Sequence, residues 1–114
     1  MKQSAKQLAK LKAATLVGKP MWFINKKTGE REMWGPVDDE VYIIVGDYKH
    51  MIQRIHYTHP TQAGDEYGYR TAYYTLDKDG RRVKFGQYAQ HLTQSQYREL
   101  LGKARGKGWR IFSN

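Results

Sequence analysis

Tyr69-Arg70-Thr71-Ala72-Tyr73-Tyr74-Thr75-Leu76, then Asp77-Lys78-Asp79-Gly80, then Arg81-Arg82-Val83-Lys84-Phe85 is the stretch whose reading decides the fold. The first run is rich in aromatic and β-branched residues, which suit a pleated, half-buried surface. It breaks at a turn in which Gly80 can take the positive φ that a type I turn with a bulge requires. The second run closes a hairpin. Beyond it, through Gly86 and Tyr88, a helix start is written three times: Thr93 as cap, Gln96 as the residue returning a hydrogen bond to it, and Leu92 before the cap as an apolar staple for Tyr97. This helix is expected over 94–104, with Tyr97, Leu100, Leu101 and Ala104 on one face and Gly106-Lys107-Gly108 ending it.

Upstream, Glu40-Val41-Tyr42-Ile43-Ile44-Val45 is a near-continuous β run of the kind found in central strands. Gly35-Pro36 is expected to punctuate the chain before it, so that this unit begins at Asp38, and Gly46 to Lys49 to turn it. His50 to Tyr57 reads as the partner strand and Thr58 to Gly68 as a loop. Met21 to Trp34 reads as a further hairpin turning through Asn25 to Gly29, with Trp22 and Trp34 expected in the core. Ser4 to Val17 is expected to form a short amphipathic helix, with Ala5, Leu8, Ala9, Leu16 and, on a flank, Leu11 apolar and Lys2, Lys6 and Lys10 recurring every fourth residue on the other face. Lysines at that spacing repel by about 0.2–0.5 kcal/mol per pair, so the helix needs an anionic partner or the protein body to stay formed. Trp109 to Phe112 is expected to dock as a final edge strand beside the Trp22 hairpin.

With 114 residues and no cysteine, the chain is expected to be one domain, 1–114, without disulfides or thiolate metal sites. A basic helical leader would cover 1–20 and a β-rich core 21–112. No apolar run approaches the roughly 20 residues that cross a bilayer, and the lysine-studded start lacks the apolar stretch of a secretory signal. A soluble, cytoplasmic protein with no membrane association is the expectation.

The order of strands, loop, hairpin and capped helix over Asp38 to Arg105 resembles the small SH3-like barrels, Tudor- or KOW-like, of short phage and plasmid proteins. That resemblance implies a mainly β (α+β) fold, an SH3-like small barrel with an N-terminal basic helix and a C-terminal capped helix. It implies loops that bind nucleic acid, peptides or nothing, and does not choose among them.

Charge carries the functional expectation. The net charge is +9, distributed as +7 over residues 1–27, −4 over 28–50, −1 over 51–80 and +7 over 81–114. Two basic ends around a slightly acidic middle are the footprint of a polyanion binder, provided folding brings the ends together. The expected function is therefore non-enzymatic nucleic-acid binding, to DNA or RNA. Lys6, Lys10, Arg81, Arg82, Lys84, Lys103, Arg105, Lys107 and Arg110 are the candidate phosphate contacts, and Trp109 a candidate for stacking on an unpaired base. A tyrosine-rich interaction module, such as a phage-encoded inhibitor docking on an acidic host protein, is the alternative from another class; the chain has nine tyrosines to supply large, rigid contacts.

A small metal-dependent nuclease is the third possibility. Asp38 stands before a strand and Asp47-Tyr48-Lys49 resembles the D-x-K half of the PD-(D/E)xK core, in which carboxylates hold magnesium and a lysine helps activate water. A turn followed by a solvated lysine explains these residues with less strain, so no enzymatic activity is expected. His50, His56, His59 and His91 are expected to be structural or surface residues, with no metal and no cofactor. Gly102-Lys103-Ala104-Arg105-Gly106-Lys107 lacks the spacing of a phosphate-binding loop. Oligomeric state is left open.

Overall fold

The computed structural model of the chain describes residues 4–58, 64–77, 79–86 and 91–109. Among these, the elements in order are α1 (Ala5–Ala13), β1 (Pro20–Ile24), β2 (Arg31–Val45), β3 (Tyr48–His56), β4 (Tyr67–Leu76), β5 (Val83–Gly86) and α2 (Gln94–Gly106). The protein is mainly β: its five strands form an antiparallel sheet in sequence order, β1-β2-β3-β4-β5, accompanied by the two helices. No helix among the described residues is long and apolar enough to cross a membrane.

The deciding stretch folds as its residues dictate. In the β4–β5 hairpin, Tyr73 faces Gly86 and Leu76 faces Val83. Gly80 takes a φ of +67° in the turn. Thr93 caps α2 through a reciprocal box with Gln96, with hydrogen bonds of 3.2 and 2.9 Å.

Three expectations require correction. Gly35-Pro36 does not interrupt the chain, because β2 runs unbroken for 15 residues. Pro36 faces Pro20 of the edge strand β1, and Gly35, at φ +152°, lies so close to the third strand that a Cβ built on it would be 1.9 Å from the His56 carbonyl oxygen. A residue without a side chain lets β2 and β3 stay adjacent where any other would force them apart. The turn after β2 is only Gly46-Asp47, with Gly46 at φ +57°, so β3 begins at Tyr48 and takes Lys49 into the sheet. Trp22 and Trp34 are 46% and 42% exposed rather than buried. Trp34 is the extra residue at a bulge, skipped in the register between the Met21–Gly35 and Trp22–Met33 pairs. The expected strand over Trp109 to Phe112 falls, apart from Trp109, outside the described residues.

The chain forms two compact units: unit 1 comprises Met1–Thr15, Val41–Ile52 and Thr71–Asn114, and unit 2 comprises Leu16–Glu40 and Gln53–Arg70. Unit 1 buries Leu11, Val41, Ile43, Met51, Ile52, Ala72, Tyr74, Leu92, Leu100, Ala104 and Trp109. Each buried leucine contributes about 1.5–3 kcal/mol. Unit 2 has a smaller apolar centre at Val37 and Ile55, next to a buried polar chain in which Gln53 donates to Glu40 (3.2 Å) and accepts from Arg70 (2.8 Å).

The Gly35 approach is backbone against backbone and cannot relax by moving a side chain. Gly35→Ala is expected to destabilise the protein by about 2–4 kcal/mol, read as a lowered urea midpoint with an unchanged slope.

Candidate nucleic-acid interface

Unit 1 assembles three basic segments, and its local chemistry explains how. Ser4 and Gln7 form a capping box at the start of α1: Ser4 Oγ accepts from the Gln7 amide (3.1 Å) and Gln7 Oε1 accepts from the Ser4 amide (2.8 Å). The other end of the same amide donates from Gln7 Nε2 to the Gly80 carbonyl at 3.2 Å, so one side chain both starts the helix and docks it on the β4–β5 turn. One turn further along α1, Lys10 Nζ lies 3.4 Å from the Arg81 carbonyl.

The far end of α1 is held by Lys49. Its side chain is 1% exposed, its ammonium donates to the Lys12 carbonyl (2.8 Å) and the Ala14 carbonyl (2.5 Å), and it lies 4.4 Å from the centre of the Tyr42 ring. Carbonyls at a helix C-terminus have no intrahelical partners and carry the negative end of the helix dipole. A buried ammonium on a strand therefore finds acceptors and compensating charge in one place. From α2, Lys103 Nζ donates to the Tyr42 carbonyl at 2.8 Å and lies 5.5 Å from the same ring. Tyr42 is thus flanked by two ammonium groups. Leu11 on α1 and Leu100 and Ala104 on α2 are at most 1% exposed, so both helices bury their apolar faces in this unit.

The turn between β4 and β5 is organised by Asp77. Its amide donates to the Arg82 carbonyl, its carbonyl accepts from Gly80 N, and its Oδ1 accepts from Arg81 N, each at 2.9 Å. Lost hydration raises the Asp77 carboxyl, but hydrogen bonds from the Arg81 and Arg82 amides and the nearby Lys84 charge outweigh it and hold the carboxyl below its ordinary range.

Every described candidate lies in unit 1. Lys6, Lys10, Arg81, Arg82, Lys84, Lys103, Arg105 and Lys107 are all exposed. Lys103 is partly committed to Tyr42. Trp109 corrects the expectation of a stacking residue: it is 4% exposed, and its amide donates to the Ala104 carbonyl at 3.3 Å, so its ring serves the core behind α2. Arg110 lies outside the described residues. Among described residues, unit 1 has 11 Lys and Arg against 4 Asp and Glu, while unit 2 has 6 against 7.

The residues of the nuclease possibility are engaged otherwise. Asp38 is gripped by Arg54 through two hydrogen bonds of 3.0 and 3.1 Å, a pairing that raises the Arg54 guanidinium further above its ordinary value. Lys49 is buried beneath α1 instead of solvated, and Asp47 is an exposed turn residue whose carbonyl accepts from Leu76 N. His50 is buried and stacked on Tyr48, His56 stacks on Tyr67, and His59 is outside the described residues. Among the described residues no cluster of three or more His, Asp or Glu side chains is placed to hold a metal ion. Lys49 and Tyr42 were the positioning residues that the sequence reading missed. The signal was the strand period itself, which puts Lys49 on the same face as Met51.

Comparison with protein-family models, curated proteins and solved structures finds no match.

Lys49→Met keeps length and burial but leaves two carbonyls without their donor, a loss of about 1–3 kcal/mol. Amide hydrogen exchange in α1 is expected to accelerate about tenfold or more, with strand amides of unit 2 unchanged. Because the Asp77 carboxyl titrates lower in the folded than in the unfolded chain, its contribution is present above the ordinary carboxylate range and is lost as pH falls through the depressed value. Asp77→Asn should flatten that acid limb of a stability–pH curve measured by chemical denaturation.

Proposed function

We propose that this protein binds nucleic acid without catalysis, through phosphate contacts made by unit 1. The observation carrying this reading is the segregation of charge: cations from both ends of the chain and from the 81–84 segment lie in one unit with 11 basic and 4 acidic described residues. Such an excess attracts a polyanion by counterion release and needs no base-specific contacts. With Trp109 in the core, the reading is of backbone-directed binding of low sequence specificity, in a cytoplasmic protein. The finer architectural part of the proposal is that the five-stranded sheet is an SH3-like barrel, which the mainly β antiparallel sheet and the two helices support. Docking on an acidic protein surface is the second reading, favoured by Tyr48 and Tyr97, which are 45% and 39% exposed in the same unit.

Titrating duplex DNA at several salt concentrations tests the first reading. Log affinity should fall linearly with log salt, and Lys6→Gln with Arg82→Gln should make the slope shallower by about 0.9 per contact removed. Lys103→Gln should change it less, because that ammonium already serves Tyr42. Lys26→Gln with Lys27→Gln, in unit 2, should leave the slope as it was. Absence of binding to either DNA or RNA at low salt sinks the proposal, and tight binding to an acidic protein in that case favours the second reading.

A further inference from the structure

With Trp109 in the core, another ring of unit 1 is placed to receive a base. Tyr48, the first residue of β3, is 45% exposed and stacks on the buried His50 of the same strand, with ring centres 5.6 Å apart and planes 12° apart. Tyr73 of β4 leans on both at a tilt, 5.7 Å from Tyr48 and 6.3 Å from His50. Being nearly equidistant from the two, it stands beside the stack and not on the outer face of Tyr48. That outer face, turned away from His50, is therefore where the exposure lies. Tyr73 is itself braced by β5: a Cβ built on Gly86, which faces it across the hairpin, would be 2.2 Å from Tyr73 Cζ.

The surroundings of the stack distinguish a base from a phosphate. Tyr73 and Thr75 lie on one face of β4, and Thr75 faces the exposed Lys84, so the rings and this ammonium rise from the same side of the sheet. Lys84 is two strand spacings from β3, about 10 Å. Asp47, next to Tyr48 in the chain, opposes an anion at the ring and is indifferent to an uncharged base. An aromatic stack with an open face accepts a further flat ring, while the basic excess of unit 1 draws the backbone that carries it.

We infer that the outer face of Tyr48 is a stacking site for an unpaired base, with Lys84 toward the adjoining phosphates, so that single-stranded nucleic acid is the preferred ligand of unit 1. This deepens, and rests on, the reading of unit 1 as a phosphate-binding surface. A duplex already spends the faces of its bases on one another, whereas a single strand can lay one on a protein ring. Every base has such a face, so the site adds affinity without sequence preference.

The affinities of the full chain for a single-stranded oligothymidylate and for a duplex of the same length, at one salt concentration, test this. The single strand should bind more tightly. The ratio of the two affinities should fall about five- to 150-fold in Tyr48→Leu and be retained in Tyr48→Phe and Tyr48→Trp, which keep an aromatic face. Irradiating the parent chain bound to an oligothymidylate with one thymine replaced by iodouracil should crosslink the peptide that contains Tyr48. Equal affinity for both nucleic acids, or a single-strand preference that Tyr48→Leu leaves intact, overturns the inference while the phosphate-binding reading stands. Crosslinks that never include the Tyr48 peptide overturn it too. An acidic protein whose binding is lost in Tyr48→Leu, from a chain that does not favour the single strand, assigns the ring to a protein partner and counts against it. Failure to bind either nucleic acid ends both readings.

Discussion

A lysine ammonium buried under the C-terminus of α1 is the contact on which the arrangement of cations depends. Lys49 leaves water at considerable cost, which the Lys12 and Ala14 carbonyls and the face of the Tyr42 ring offset. α1 is a poor helix by its own chemistry: it is short, has no acid in its first turn, and carries Lys6 and Lys10 one turn apart. A positive charge nevertheless recruits this positive segment, because it meets the negative end of the backbone dipole and not the side chains. Gln7 and the buried Leu11 complete the attachment. The lysines on the solvent side of α1 remain available outside.

The two units manage charge in opposite ways. Unit 2 engages part of its charge internally: Arg54 clasps Asp38 and lies over Tyr67, and Glu40, Gln53 and Arg70 form a chain of hydrogen bonds. In unit 1 the largest acidic contribution to local order, Asp77, is spent on backbone amides of its own turn, which leaves the guanidinium groups of Arg81 and Arg82 exposed. Among the described residues, unit 1 therefore carries an excess of basic over acidic side chains that unit 2 lacks.

Much of this was legible in the sequence where the signal is local. The β4–β5 hairpin, Gly80 in its turn, the Thr93–Gln96 box and the basic segments follow from turn chemistry, capping and composition, which depend on neighbours in the chain. What was not legible depends on distant partners. Nothing near Lys49 in the chain announces that a helix end will lie above it, and Gly35-Pro36 reads as a break unless the proximity of His56 is known. Residue type alone could not sort the tryptophans: Trp109, a candidate for stacking, is core, and Trp22 and Trp34, expected in the core, are exposed. Large aromatic rings suit either setting, and only the packing around each decides.

The close approach at Gly35 also bears on how this chain can diverge. Every other amino acid carries a β-carbon, so no missense change at that codon is a small step, and the neighbouring strand meets it with main chain that cannot be trimmed by a second substitution. Drift elsewhere in unit 2 can proceed by graded exchanges of size or polarity. At this one position the options are retention of glycine or a rebuilt strand pair, so it should stand as an anchor when distant descendants of the sequence are aligned.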